Sequence, residues 1–323
     1  MIEGKKILIT GGAGFIGTHV AHRLYERNEV TLFDIDYTGG ISYSPMAKDE
    51  RVRKIEADVR DEAAVKKAVA DCDILLHYAS VIGVKKVIDH ARDTIDTILI
   101  GTRNVMEAAR HNSKLERIVN ISTSEVYGNV MDGREGAPGS VSTGNDARAC
   151  YASAKLAAEH IVWAYHRDFK LPTVIVRPFN IYGSLRKTDN AVGRFCVQAI
   201  GNKDVTLLGD GSQLRSWCYV DDFVDGMMEC IERKQAVGED FNLGNPVTAV
   251  TIYDLAARTI RLANSKSKLS TTAHTFSDIG VRAPNSTKAR ELLDYHPKYD
   301  LDAGLLVTLD WYRKNLNDFK AWL

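Results

Sequence analysis

Two groups of side chains in this sequence have the types and spacing to move a proton. Tyr151 and Lys155 stand four residues apart in the run ACYASAKLAAEHIVWAYHRDF (149–169), whose apolar spacing predicts a helix. That spacing puts both side chains on one helix face. A phenol ionises at about pH 10, and a neighbouring ammonium favours the phenolate. Tyr151 can then accept a proton from a hydroxyl and later give it back. The second group is Thr123, Ser124 and Glu125, which directly follow the apolar run ERIVNIS (116–122). Two hydroxyls and a carboxylate at a strand end can share the proton of a reacting hydroxyl and act on neighbouring carbons. A tyrosine four residues before a lysine also occurs on solvated helices, so the elements around the pair decide its meaning.

Those elements alternate. KKILIT (5–10), EVTLFDID, residues 55–57, DILLHYAS (73–80), ERIVNIS and PTVIVRPFN read as six strands. Helical patterns separate them, the longest over 86–111 and 149–169, and a polar, Gly-containing loop covers 129–147. This alternation predicts an α/β fold, a Rossmann-type doubly wound parallel sheet over residues 1–180. After about 180 the rhythm changes to short strands (VTLLGD, RSWCYV, DFNLGN) mixed with helices at 186–201, 221–234, 251–263 and 303–315. Residues 181–323 are read as a smaller α+β substrate lobe over the carboxyl edge of the sheet, with some of its elements returning to the first domain. Thr123, Ser124 and Glu125 then lie at the edge where α/β proteins bind ligands.

The first strand runs into ITGGAGFIG, with Gly11, Gly14 and Gly17 ahead of a helix. Strand, glycine loop and helix together form a dinucleotide fingerprint. Gly11 permits the tight turn, Gly14 lets backbone approach a pyrophosphate, and Gly17 allows close helix–strand packing. Phe15 and Ile16 open the helix whose N-terminus meets the phosphates. Asp34 ends the second strand, where a carboxylate accepts from ribose hydroxyls and repels a 2′-phosphate, favouring NAD over NADP. Asp58 and Val59 after the third strand, Ala79 after the fourth and Ser122 after the fifth are further cofactor-pocket candidates, Asp58 for the adenine amino group. His77 and Tyr78 are read as pocket wall.

Composition removes other classes. Lys+Arg and Asp+Glu both number 42 among 323 residues, so no electrostatic footprint for nucleic acid or an acidic membrane exists. An anionic ligand must be held by a local site. The five cysteines, Cys72, Cys150, Cys196, Cys218 and Cys230, show no CxxC, which argues against a disulfide scaffold or structural zinc and fits a reducing, cytoplasmic setting. No secretory h-region follows MIEGKK, and no apolar run is long enough to span a membrane.

With these motifs in order, the chain resembles the extended short-chain dehydrogenase/reductase family of nucleotide-sugar epimerases, dehydratases and decarboxylases. The resemblance rests on TGGAGFIG, Asp34, HYAS, STSEVYG, YASAK, RPFNIYG, GDGSQLRSWCYVDD and FNLG, spread over about 7–244. It implies that bound NAD⁺ oxidises a sugar C4 hydroxyl, with Tyr151, Lys155 and Thr123 handling the proton and Lys155 holding the nicotinamide ribose. An epimerase then turns the ketone over; a 4,6-dehydratase removes the C5 proton and expels the C6 hydroxyl; a uronate decarboxylase releases the C6 carboxylate. Glu125 weighs against a plain epimerase, and Ser124 against the commonest dehydratase pattern, which has an acid there. Thr-Ser-Glu, RACY (148–151) and VRAPN (281–285) are similar to the decarboxylases, in which Arg282 would meet the substrate carboxylate. UDP-glucuronate decarboxylation is therefore the first expectation, then 4,6-dehydration, then 4-epimerisation. A simple NAD-dependent dehydrogenase and a non-catalytic dinucleotide sensor are the rivals.

The resemblance further gives Asn180 and Arg215 to the sugar diphosphate, with Arg186 as a displaced substitute for a usual arginine. Ile98 stands where the family has an asparagine. Asp221 and Asp222 are read as helix caps. A homodimer is implied through 86–111 and 149–169, where Val105, Met106, Ile161, Val162 and Trp163 extend beyond one apolar stripe.

Overall fold

The protein is described from a computed structural model covering residues 2–142, 149–187, 190–273 and 279–323. Its first half alternates except at β2–β3 and α3–α4: β1 (Lys6–Thr10), α1 (Phe15–Leu24), β2 (Glu29–Asp34), β3 (Arg53–Glu56), α2 (Glu62–Val69), β4 (Ile74–His77), α3 (Val84–Asp89), α4 (Ala91–Ala109) and β5 (Arg117–Ile121). There follow β6 (Val130–Gly133), α5 (Ala149–Phe169), β7 (Thr173–Pro178), β8 (Ile181–Tyr182), α6 (Ala191–Ile200), β9 (Val205–Leu208), β10 (Leu214–Ser216), β11 (Cys218–Tyr219) and α7 (Val220–Glu232). The chain ends with β12 (Glu239–Leu243), β13 (Ala249–Thr251), α8 (Ile252–Leu262), β14 (Leu269–Thr272), β15 (Val281–Pro284), α9 (Thr287–Leu293) and α10 (Leu301–Lys314).

Seven strands form one parallel sheet in the order β12-β7-β5-β4-β1-β2-β3. Its central strands β1, β4, β5 and β7 are buried on both faces, as a parallel sheet covered by helices requires, while the edge strand β3 is largely exposed. Side chains alternate between the faces. In β1, Ile7 and Ile9 join the cluster containing Val20 and Ala21 of α1 and Phe223 of α7. Leu8 joins the opposite cluster, with Val65 and Val69 of α2, Val105 and Met106 of α4 and Val162 of α5. Strand order reverses between β1 and β4, so the loops after these two strands open a crevice at the carboxyl edge.

Several sequence expectations need correction. DFNLGN, read with the lobe, is β12 and closes the main sheet against β7, with Phe241 opposite Val176. The helix expected over 86–111 is two helices: His90 leaves helical geometry at φ −131°, ψ 47°, and its carbonyl starts α4 by accepting from Thr94. RSWCYV is divided at Trp217 into β10 and β11, which belong to different sheets. The helix expected from 186 begins at Ala191, after Asn190 caps it by accepting from Gly193 N at 2.9 Å. The expected loop 129–147 contains β6, which pairs with β15 in a four-stranded lobe sheet ordered β13-β10-β15-β6. Nothing in VMDG alternates; its register is set by a partner about 150 residues away, beyond any local pattern. Asp222 caps no helix; its buried carboxylate accepts from Lys298 N (2.8 Å) and Tyr299 N (3.0 Å).

Val105, Met106 and Val162 are fully buried within the chain's own core. The large apolar residues that α4 exposes are Ile95 and Ile100. All five cysteines are free. No helix among the described residues is long and apolar enough to cross a membrane.

Candidate active site

The glycine loop is shaped by contacts no other residue tolerates. Gly11 has φ +69°, and a Cβ there would lie 2.7 Å from Ala79 N. A Cβ on Gly17 would meet Gly11 O at 2.5 Å, so α1 packs directly on the loop. Gly14 differs: the nearest atom to its Cβ position is Gly11 O at 3.3 Å, so its missing side chain leaves an open approach. Gly14 is also the N-cap of α1 and brings no capping side chain, so the first N–H groups of the helix stay available to an anion. Asp34 fixes the loop by accepting from Ala13 N at 3.0 Å and from Asp36 N at 3.2 Å. Burial raises its carboxyl above the ordinary value, against the pull of the Ala13, Asp36 and Ile35 N–H groups. An open glycine, an uncapped helix start and an oriented acid at the end of β2 fit a dinucleotide.

Asp58 pairs with Arg60 (2.7 Å), which holds its carboxyl below the ordinary range. Val59 packs against Gly101 of α4, where a Cβ would come within 2.6 Å of it. Ala79 N donates to Thr10 Oγ1 at 3.3 Å, tying the end of β4 to β1. His77 is buried between Thr10 Oγ1 (2.7 Å) and Thr102 Oγ1 (3.2 Å); burial and then the Lys155 charge push it down to about 3, so it stays neutral.

The three polar residues after β5 form the start of a 3-10 turn, Ser124–Tyr127, with Thr123 as its cap, accepting from Glu125 N at 3.2 Å. The turn faces the first turns of α5. Tyr151's hydroxyl hydrogen-bonds with both Thr123 and Ser80. Although Tyr151 is partly exposed, crowding around its hydroxyl desolvates it and raises its pKa, and the Glu125 charge raises it further. Against these act the Thr123 hydrogen bond, the Arg282 charge and the Ser80 hydrogen bond, in that order. Lys155 is buried one turn further along α5 and donates to Ile121 O at 2.8 Å. Burial brings its ammonium down to about 8, partly offset by Glu159. Ile98 packs with Leu99, Ala154, Ala158 and Tyr151, so an apolar wedge backs the Tyr151 ring.

Arg282 arrives from β15 and is 4 % exposed. Its Nη1 lies 3.3 Å from Glu125 Oε1, and its Nε has no hydrogen-bond partner among the described residues. Arg215 sits opposite Arg282 in the β10–β15 ladder and donates to the carbonyls of Leu214 (2.9 Å), Gly280 (3.3 Å) and Ile279. Asn180 takes a left-handed conformation (φ 44°), one that asparagine tolerates, and donates to Ser216 O at 2.8 Å. Arg186 donates to Ile181 O (2.6 Å) and covers the Phe15 ring at 5.2 Å, which sets it against the helix of the cofactor loop. Arg148 of RACY lies outside the described residues.

A family model described as "NAD dependent epimerase/dehydratase family" matches residues 7–244. The chain belongs to the NAD-dependent epimerase/dehydratase family. A UDP-N-acetyl-alpha-D-glucosaminuronate decarboxylase of Bacillus cytotoxicus is 33% identical over 97% of this chain and 99% of its own. UDP-glucuronic acid decarboxylase 5 of Arabidopsis thaliana is 33% identical over 98% of this chain and 92% of its own. Among solved structures, the UDP-glucuronic acid 4-epimerase of Bacillus cereus, in complex with UDP-glucuronic acid and NAD, superposes with a TM-score of 0.87 at 28% identity, over 96% of this chain and 99% of that one. NAD is the cofactor of this epimerase/dehydratase family, in keeping with Gly14 and Asp34.

Two parts of the site escape the sequence reading. Ser80 was visible only as the last letter of HYAS, and its bond to Tyr151 depends on the turn after β4. Beneath the site lies a buried network: Ser122 Oγ donates to Glu159, whose carboxylate also accepts from Arg177 Nε (2.8 Å) and Nη2 (2.6 Å). Arg177 continues to Tyr127 (2.7 Å) and Asp240 (2.6 Å). The available signal was the spacing of Tyr151, Lys155 and Glu159, which repeats every fourth residue along one helix face.

Proposed function

We propose that this protein is a nucleotide-uronate decarboxylase, with UDP-glucuronate as the first substrate to try. One observation carries the reading: a buried arginine with an unpartnered Nε meets a carboxylate beside the tyrosine of the proton pair. A guanidinium so placed suits a planar carboxylate, which it can grip through two parallel bonds. The two decarboxylase relatives, and the epimerase among the solved structures, are named for uronates, which supports the same substrate class.

When bound, NAD⁺ supplies hydride acceptance at the sugar C4. With bound NAD⁺ and the Lys155 ammonium favouring its phenolate, Tyr151 would take the C4 hydroxyl proton beside Thr123 and Ser80. The resulting ketone is β to the C6 carboxylate, which Arg282 holds. The C5–C6 bond breaks, its electron pair moves to the C4 oxygen, carbon dioxide leaves, and Tyr151 protonates the enolate. Glu125 would then pass to C5 a proton drawn from solvent, while the enol proton returns to Tyr151 and the ketone re-forms. Return of the hydride to C4, with the Tyr151 proton going back to the C4 oxygen, leaves the sugar short of carbon dioxide alone. Arg215 and Asn180 are assigned to the diphosphate side and Arg186 to the border between cofactor and substrate.

The test is incubation with NAD⁺ and UDP-glucuronate or UDP-N-acetylglucosaminuronate, reading products by mass. Loss of carbon dioxide is expected. Unchanged mass with a new retention time would install uronate 4-epimerisation, the second reading, which the Bacillus cereus relative favours. Loss of water from UDP-glucose would install dehydration, and no turnover of any sugar would leave a dinucleotide sensor. Glu125→Gln should lower decarboxylation about 100-fold or more, the usual weight of a proton carrier, while sparing NAD⁺ binding. We further assign a cytoplasmic homodimer joined through α4 and α5; light scattering that reads a monomer removes the dimer.

A further inference from the structure

We propose that Glu159 is a positioning residue of this site, one whose negative charge keeps the buried Lys155 ammonium protonated at neutral pH. The inference rests on the proton role assigned above to Tyr151 and Lys155, but its test does not depend on which sugar is consumed.

Lys155 is 5 % exposed and its bond to Ile121 O is to a neutral carbonyl, which does not compensate a charge. An uncompensated buried ammonium gives up its proton. The charged and titratable groups around it are few. His77, on β4, is neutral. Tyr151, one turn back on α5, is a neutral phenol in the resting protein. Arg177, on β7, is positive and engaged by Glu159 at 2.8 and 2.6 Å. Glu159, one turn forward on α5 and 2 % exposed, is the negative group that favours it.

The Glu159 carboxylate is held by hydrogen bonds on both of its oxygens. Its carboxylate accepts from Ser122 Oγ and from two nitrogens of Arg177, at 2.8 and 2.6 Å, so its charge is well solvated by protein although water is excluded. Arg177 is itself divided: its other arm bonds Asp240 at 2.6 Å, and Asp240 also meets Lys288 at 2.7 Å. Lys288 in turn pairs with Glu239 at 2.8 Å, so three carboxylates share two cations, which leaves the cluster with negative charge to spare for Lys155. This explains why a buried acid belongs on the face shared by Tyr151 and Lys155, a position at which a purely structural helix would carry an apolar residue.

The experiment titrates Lys155 by NMR of its side-chain Cε in the purified protein, with and without NAD⁺, for wild type, Glu159→Gln and Glu159→Asp. Glutamine keeps shape and hydrogen bonds and removes the charge; aspartate keeps the charge and shortens the arm. Expected is a fall of about one unit in the Lys155 pKa for glutamine and a value near wild type for aspartate. The alkaline limb of the pH–rate profile should move down with it in Glu159→Gln alone. A merely structural role gives the reverse order, with aspartate the more disturbed, and overturns the proposal, as does a Lys155 titration unmoved by glutamine. Should either variant not fold, Ser122→Ala supplies the opposite perturbation: it leaves the Glu159 charge less dispersed, so the Lys155 pKa should rise, and no rise overturns the proposal.

Discussion

Arg177 and Arg282 are both buried and both face a glutamate, and the resemblance stops there. Arg177 spends its nitrogens on Glu159, Asp240 and Tyr127 at 2.6–2.8 Å. Arg282 reaches Glu125 by one contact at 3.3 Å and leaves Nε without a partner among the described residues. A saturated guanidinium joins β7, α5 and β12 into one structure. An under-partnered one keeps a donor without a partner among the described residues. Burying a charge is expensive unless it is paired, so the shortfall at Arg282 adds little to stability and agrees with the carboxylate-binding role proposed above.

Variants that break this contrast should separate two readouts. Arg177→Met strands the Glu159 carboxylate and should cost about 3–5 kcal/mol of stability, read by urea unfolding. Arg282→Met should move stability by no more than about 1 kcal/mol, since the contact with half-buried Glu125 at 3.3 Å is the one ion pair it gives up among the described residues. Its effect belongs in the KM for the nucleotide uronate, raised about 100-fold, the worth of a lost charged hydrogen bond. Equal losses of stability in the two variants would erase the distinction.

Lys155 sharpens it from the other side. Burial brings its ammonium down to about 8 in the folded protein, from an ordinary value of 10.5. Between those values the unfolded chain holds a proton that the folded one lacks, so this group's contribution to stability rises with pH across that window. Below it, the cost of burying the charge is felt in full. Lys155→Met should abolish turnover and yet stabilise the protein at neutral pH by about 2 kcal/mol after the lost bond to Ile121 is counted. That gain should fade as pH rises from about 8 toward 10.5. Smallest of all, Ser80→Ala should slow proton transfer by no more than about tenfold, because Thr123 still holds the Tyr151 hydroxyl.

What could be read in advance follows physical range. The glycine loop, Asp34, the Tyr151–Lys155 face and the parallel sheet are written in local spacing, and each is where that spacing puts it. The lobe was legible only in outline. β6 and β15 are four residues each and gain their form from pairing with one another, and β12 leaves its neighbours in sequence to complete the main sheet. The same limit hid the Glu159–Arg177 network, whose members come from different elements. The apolar residues Val105, Met106 and Val162 misled for the opposite reason: a long helix can bury several faces inside its own chain.

The short ladder between β6 and β15 has a practical bearing on engineering. It sets Val130, just downstream of Glu125, opposite Arg282, and Asn129 Oδ1 accepts from Val281 N at 2.7 Å. Acid and arginine are thus stitched to each other by backbone pairing. A chimera that imports one of these segments from a relative without the other inherits a mismatched seam, and the spacing of Glu125 and Arg282 would shift with it.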